Sequence, residues 1–266
     1  MKIRTVLIAA LAAFGLGAPV AAGEEGHVKD FSFSFEGPFG VYDRAQLRRG
    51  LQVYLEVCSA CHGLKYVPFR ALGDPDGPAL GEKAVKEIAA QYEVMDPDSG
   101  EMRPAKPSDY FPRSPNPKAP DLSLMAKARA GFHGPMGLGI NQIVYGMGGP
   151  EYIASLLTGF TGEEKEEAGQ TFYENRTFPI GWIAMPPVLS GEDVEYADGT
   201  KATAEQEAQD VAAFLMWAAE PKMMARKRMG FVGVVYLVLL ASLLYLTNKT
   251  LWAAVKRRRE KAAAES

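Results

Sequence analysis

Apolar residues fall into a few distinct patterns along the chain, and each pattern predicts an element. The first is a run over residues 6–16 behind Lys2 and Arg4, closed by the small residues Val20-Ala21-Ala22. A basic start, a short apolar middle and a small-residue end make a secretory signal, so residues 1–22 are expected to be cleaved after Ala22. The second is an uncharged run over 229–246, whose 18 residues span ~27 Å as a helix. It is apolar around nearly its whole circumference, unlike the one-sided stripe of a surface helix. We read 226–250 as a transmembrane anchor helix and 251–266 as a cytoplasmic tail, with Trp252 as an interfacial anchor. Basic residues flank both ends of the run, Arg226-Lys227-Arg228 and Lys256-Arg257-Arg258-Arg259, so loop charge does not orient it. The exported N-terminus does, leaving residues 23–221 outside.

Between signal and anchor the period is helical. Leu47, Leu51, Tyr54 and Leu55 predict an amphipathic helix over 44–57. Thr203 and Gln206 form a capping box for a helix over 204–219, with Val211, Leu215 and Ala218 on its inner face and Pro221 as its stop. Shorter helices are expected at 82–92, 122–130 and 151–160. Strand signals are confined to pieces such as 31–35. Seven prolines between 96 and 121 exclude a continuous helix or central strand there, and the glycine-rich 131–149 reads as a flexible insertion. The exported part is thus one mainly α domain of about 200 residues.

The chain holds two cysteines, and they lie in Cys58-Ser59-Ala60-Cys61-His62. A C-x-x-C-H run is how a c-type haem is attached: both thiols add to the haem vinyl groups and the adjacent imidazole becomes the proximal iron ligand. A structural zinc site would need a second ligand pair, and His27 and His133 lie far apart. A thioredoxin-like dithiol would sit in a strand-helix-strand pattern, which the flanks lack. For the sixth position, Met185 in Ile183-Ala184-Met185-Pro186-Pro187 is the best placed of 11 methionines, because two prolines stiffen its loop. Met147 in its glycine-rich setting and His133 remain alternatives. An open sixth site would instead make a haem sensor or peroxidase.

Charge is divided along the chain. Residues 23–221 carry 17 Lys+Arg against 30 Asp+Glu, a net −13, while 222–266 carry 10 against 2, a net +8. An acidic exported domain steers a basic protein partner and not nucleic acid, with 93–101 and 163–167 as candidate landing stretches.

These blocks together resemble the cytochrome c1 family in its bacterial form. The likeness is carried by Arg48-Arg49-Gly50-Leu51-Gln52-Val53-Tyr54 leading into the haem motif, by Arg103-Pro104, by Ser108-Asp109-Tyr110-Phe111-Pro112 and by Pro120-Asp121-Leu122-Ser123. It continues through Tyr152-Ile153-Ala154-Ser155-Leu156-Leu157-Thr158-Gly159, the Met185 block, Trp217-Ala218-Ala219-Glu220-Pro221 and Arg226-Lys227-Arg228-Met229-Gly230. Two departures are visible: the insertion 132–148, which has no counterpart in mitochondrial members, and Ala119-Pro120 where many relatives have two prolines.

The resemblance implies a class I cytochrome c-like haem domain with long loop insertions and one C-terminal transmembrane helix. It implies one haem c per chain on Cys58 and Cys61, with His62 as proximal and Met185 as distal iron ligand, and Arg129 and Tyr152 near a propionate. The implied role is electron transfer in the bc1 complex, from the Rieske iron–sulfur protein to a basic soluble or anchored cytochrome c. Cytochrome b would be a partner, the complex dimeric, and the chain itself non-catalytic. The place would be the bacterial inner membrane, crossed once, with the haem domain periplasmic. An anchored cytochrome feeding an oxidase without a bc1 complex is the rival within the same chemistry.

Overall fold

The computed structural model describes residues 27–129 and 148–264. The expected signal at 1–22, His133, Met147 and nearly all of the glycine-rich stretch lie outside the described residues.

Helix α1 (Arg44–Glu56) starts where Asp43, in extended backbone, accepts the Ala45 N–H at 2.9 Å. Its predicted face is the one buried, with Leu47, Leu51 and Tyr54 joined by Gly50 and Val53. Helix α5 (Ala204–Ala219) crosses it. The Thr203 hydroxyl accepts the Gln206 N–H at 3.2 Å, yet the Gln206 side chain donates onward to Asp210 at 3.0 Å, so only half of the expected capping box forms. Asp210 wins that amide because it is fully buried and also takes Arg49 of α1 at 2.9 Å, and a buried carboxylate needs every donor within reach.

Where α1 and α5 cross, a Cβ on Gly50 would lie 1.9 Å from the Asp210 carbonyl oxygen. The backbones touch there. Packed into the same core is an aromatic cluster in which Phe111 meets Phe69 at 4.2 Å between centroids and Tyr54 edge-on at 5.9 Å, with Phe214 and Trp217 adjoining. α5 is buried around most of its circumference, wider than its three-residue face, because α1 and two short helices, α3 (Met125–Ala128) and α4 (Gly149–Thr158), all pack on it.

The shorter elements are α2 (Glu82–Ala90), α3 (Met125–Ala128) and α4 (Gly149–Thr158). α3 is a single turn, shorter than its expected span. A Cβ on Gly149 would sit 1.6 Å from the Ala126 carbonyl oxygen, so α4 can start only where it does with glycine.

Two small sheets flank the helices: β1 (Glu93–Met95) with β2 (Met102–Pro104), and β3 (Phe160–Glu167), β4 (Gln170–Asn175) and β5 (Trp182–Ile183) in order. The β3–β4 hairpin turns through Ala168 and Gly169, both at positive φ, as a two-residue primed turn requires. At 31–35 no strand forms. Phe31, Phe33 and Phe35 do alternate inward, but the backbone there is held by Glu36 and Val41 instead of a ladder, and Ser155 ties down Lys29 just before it.

After Pro221 the chain enters α6 (Met223–Ala264), one helix of 42 residues. Met223 and Met224 are buried in the domain, whereas the apolar run beyond Arg228 is exposed throughout and is long enough to cross a membrane. Helix continues through 251–264 without a break.

Candidate functional site

The last turn of α1 runs into a 3-10 turn (Cys58–Ala60). The N–H groups of Cys61 and His62 both return to the Cys58 carbonyl, at 3.1 and 2.9 Å, so two thiols and an imidazole stand on one tight loop. Both thiols are free, Cys58 half-buried and Cys61 exposed. Burial, with the Cys61 thiol as second cause, pushes the Cys58 thiol up to about 12.

Imidazole orientation comes from another part of the chain. His62 Nδ1 lies 2.7 Å from the Pro120 carbonyl, which accepts its proton and leaves Nε2 as the free lone pair. The Tyr54 hydroxyl donates to the His62 carbonyl at 3.1 Å. Segment 120–123 is strapped on beside the motif: Asp121 accepts the Lys65 N–H at 3.0 Å, Ser123 Oγ accepts the Tyr66 N–H at 3.1 Å, and the Leu122 N–H reaches the Gly63 carbonyl at 2.9 Å. Gly63 is obligatory, since a Cβ there would lie 2.4 Å from the Arg113 backbone.

Of the other candidates, Arg129 and Tyr152 are brought together, with the guanidinium 5.9 Å from the ring centroid. Arg129 ends α3 and Tyr152 opens α4, so the α3–α4 contact at Gly149 sets their spacing. Burial raises the Tyr152 phenol, and Arg129 opposes this. Met185 lies two residues past β5, half-buried, in the proline-stiffened loop that leads to α5. Sequence reasoning missed the Pro120 carbonyl, because a backbone acceptor 58 residues away leaves no side-chain signature.

Two buried carboxyls elsewhere in the domain have unusual environments. Glu151 is fully buried and raised to about 7, by burial first, opposed by backbone N–H groups at the start of α4 and reinforced by Glu36 and Asp30. Glu207 is also raised to about 7, by burial and then by Asp193, although it accepts the Asp193 and Val194 N–H groups.

The Cytochrome C1 family model matches residues 33–255, most of the chain. The chain belongs to the cytochrome c1 family. Among its relatives is a cytochrome c1 of Cereibacter sphaeroides, 54% identical, with 97% of this chain and 99% of that protein aligned. A protein of Bradyrhizobium diazoefficiens named cytochrome b/c1 is 44% identical over 83% of this chain and 35% of its own length. The mitochondrial cytochrome c1 heme protein of Saccharomyces cerevisiae is 39% identical over 90% of this chain and 77% of its own.

Cytochrome c1 is an electron-carrying haem subunit, and the residues on the Cys58 turn fit that group. The thiols are unbridged, one imidazole nitrogen is committed and the other free, and among the described residues no cluster of three His, Cys, Asp or Glu offers a rival metal site.

Proposed function

We propose that this chain is the electron-carrying subunit of a ubiquinol–cytochrome c reductase complex, with one haem c bound through thioethers at Cys58 and Cys61. His62 and Met185 are the residues that would ligate its iron. The observation that carries this is the oriented imidazole on the two-thiol turn, its Nδ1 held by Pro120, in a chain of the cytochrome c1 family.

Bound haem supplies a one-electron iron couple. The chain's residues do the rest. Pro120 fixes the His62 ring plane and makes the imidazole a better donor, which favours the oxidised state. A thioether from Met185 opposes that tendency and raises the potential, as suits a late carrier. Arg129, beside Tyr152, provides a charge-assisted partner for a propionate. Were His62 and Met185 both to ligate the iron, no site would be left on it for substrate, and the chain would make and break no substrate bond.

The Rieske iron–sulfur protein is the electron donor and a basic cytochrome c, soluble or anchored, the acceptor. Cytochrome b is a partner, a reading supported by the fused name of the Bradyrhizobium relative, and the complex is dimeric. α6 crosses the bacterial inner membrane once, with the haem domain periplasmic and residues 251–266 cytoplasmic, as the signal at 1–22 requires.

The test is purification in mild detergent followed by a pyridine haemochrome spectrum, a redox spectrum and a subunit inventory. Thioether-linked haem, a methionine–iron charge-transfer band lost in Met185→Leu, and co-purifying cytochrome b are expected. A colourless product, or a ferrous form of the unmodified protein that binds carbon monoxide at neutral pH, overturns the reading.

A further inference from the structure

The loop over residues 37–41 projects beside the root of α6 in a way the haem chemistry does not use. Its sequence, Gly-Pro-Phe-Gly-Val, is built to turn sharply: Gly37 has φ +65°, and a Cβ on Gly40 would lie 2.0 Å from the Glu36 carbonyl oxygen. The turn leaves Phe39 76% exposed and Val41 62% exposed. Exposing a phenylalanine to water costs free energy that a soluble loop has no reason to bear.

This loop is clamped to the helix. Lys227 Nζ donates to the carbonyls of Phe35, Gly37 and Gly40 at 2.6, 2.7 and 3.1 Å, filling its three donor positions. The Phe39 ring meets Phe231 edge-on, centroids 5.9 Å apart. Phe231 lies in the uncharged run, and three residues past Arg228 is about 4.5 Å deeper along the helix axis. The same rim carries Arg228 paired with Asp76 at 2.5 Å and Lys222 paired with Asp74 at 3.5 Å. These charges are satisfied within the chain; Arg228 stands directly at the polar end of the run and Lys222 before the start of α6.

We propose that loop 37–41 is a second membrane contact, inserting Phe39 and Val41 into the headgroup–acyl boundary of the phospholipid bilayer next to α6. The proposal rests on α6 being a membrane span. Continuity decides for lipid: Phe39 extends the apolar surface that begins at Met229, at the depth where aromatic side chains anchor proteins to bilayers. Two contacts, helix and loop, restrain the tilt of the domain in a way a single helix cannot.

Photocrosslinking in native membranes tests it. The full chain carries p-benzoylphenylalanine in place of Phe39 or, separately, of Phe231, and its haem content verifies folding. After illumination, mass spectrometry of the haem-containing chain is expected to find phospholipid adducts at both positions. Lipid adducts at 231 with a polypeptide adduct, or none, at 39 overturn the loop proposal alone. Absence of lipid at both positions overturns the span reading and the loop with it.

Discussion

His62 Nδ1 and the Pro120 carbonyl oxygen are 2.7 Å apart, which makes a backbone group 58 residues away the guide of the imidazole. Pro120 cannot lose its carbonyl by mutation, but Asp121 can lose its hold on the Lys65 and Ser123 N–H groups. Loosening the strap weakens the hydrogen bond and makes the imidazole a poorer donor. Asp121→Ala is expected to raise the midpoint potential by on the order of tens of millivolts in a redox titration. An unchanged potential would mean that Pro120 is held in place without the strap.

The crossing of α1 and α5 leaves no room at Gly50. Gly50→Ala places a methyl 1.9 Å from the Asp210 carbonyl, so the helices must part or tilt. A loss of ~3 kcal/mol is expected in denaturant unfolding, since overpacking in a close-packed interior costs about that much. Gly81→Ala is the control, because its Cβ would meet nothing within 4 Å.

Glu151 predicts a pH dependence. Its folded pKa, about 7, lies above the unfolded value near 4.5, so the protonated form is the one the fold favours. The stability it contributes is complete below about pH 4.5 and is lost as pH rises through about 7, amounting to ~3 kcal/mol at most. Glu207 acts in the same direction. The unfolding midpoint should therefore fall between about pH 5 and about pH 8.5, and Glu151→Gln should reduce that fall. An equal fall in the variant would remove Glu151 as its cause.

The acidic stretches are not equivalent. Asp96 is bound by Arg103 at 2.8 Å, whereas Glu163, Glu164 and Glu166 stand exposed along β3. Changing Glu163, Glu164, Glu166 and Glu167 together to glutamine is expected to weaken cytochrome c binding several-fold at low salt and to flatten its salt dependence. Neutralising Glu93, Asp98 and Glu101 should do less. Equal salt slopes before and after the first change would exclude the hairpin as a landing surface.

The helices that carry the site were legible because their signals are local. Leu47, Leu51 and Tyr54 mark the α1 face, Thr203 marks the start of α5, and the uncharged 229–246 marks the span. What escaped was non-local or conditional. The β3–β4 hairpin read only as acidic charge, because its strands alternate weakly and its turn depends on Ala168 adopting a positive φ that alanine rarely takes. Residues 31–35 alternated correctly but found no ladder, because alternation reports burial on one face and says nothing about a neighbouring strand. Arg129 and Tyr152 were singled out only by family likeness, each as a neighbour of a propionate, and their contact with one another was not legible, since the α3–α4 approach that creates it depends on Gly149 against Ala126.

α6 begins inside the domain, at buried Met223 and Met224, and does not break before Ala264. Domain and anchor are therefore geared to one shaft, and the azimuth of the haem domain above the lipid is written in the residue count between core and bilayer. One residue inserted between Met224 and Met229 would swivel the domain by about 100°, turning whatever surface meets its partners toward a different quarter while every atom of the Cys58 turn stayed intact.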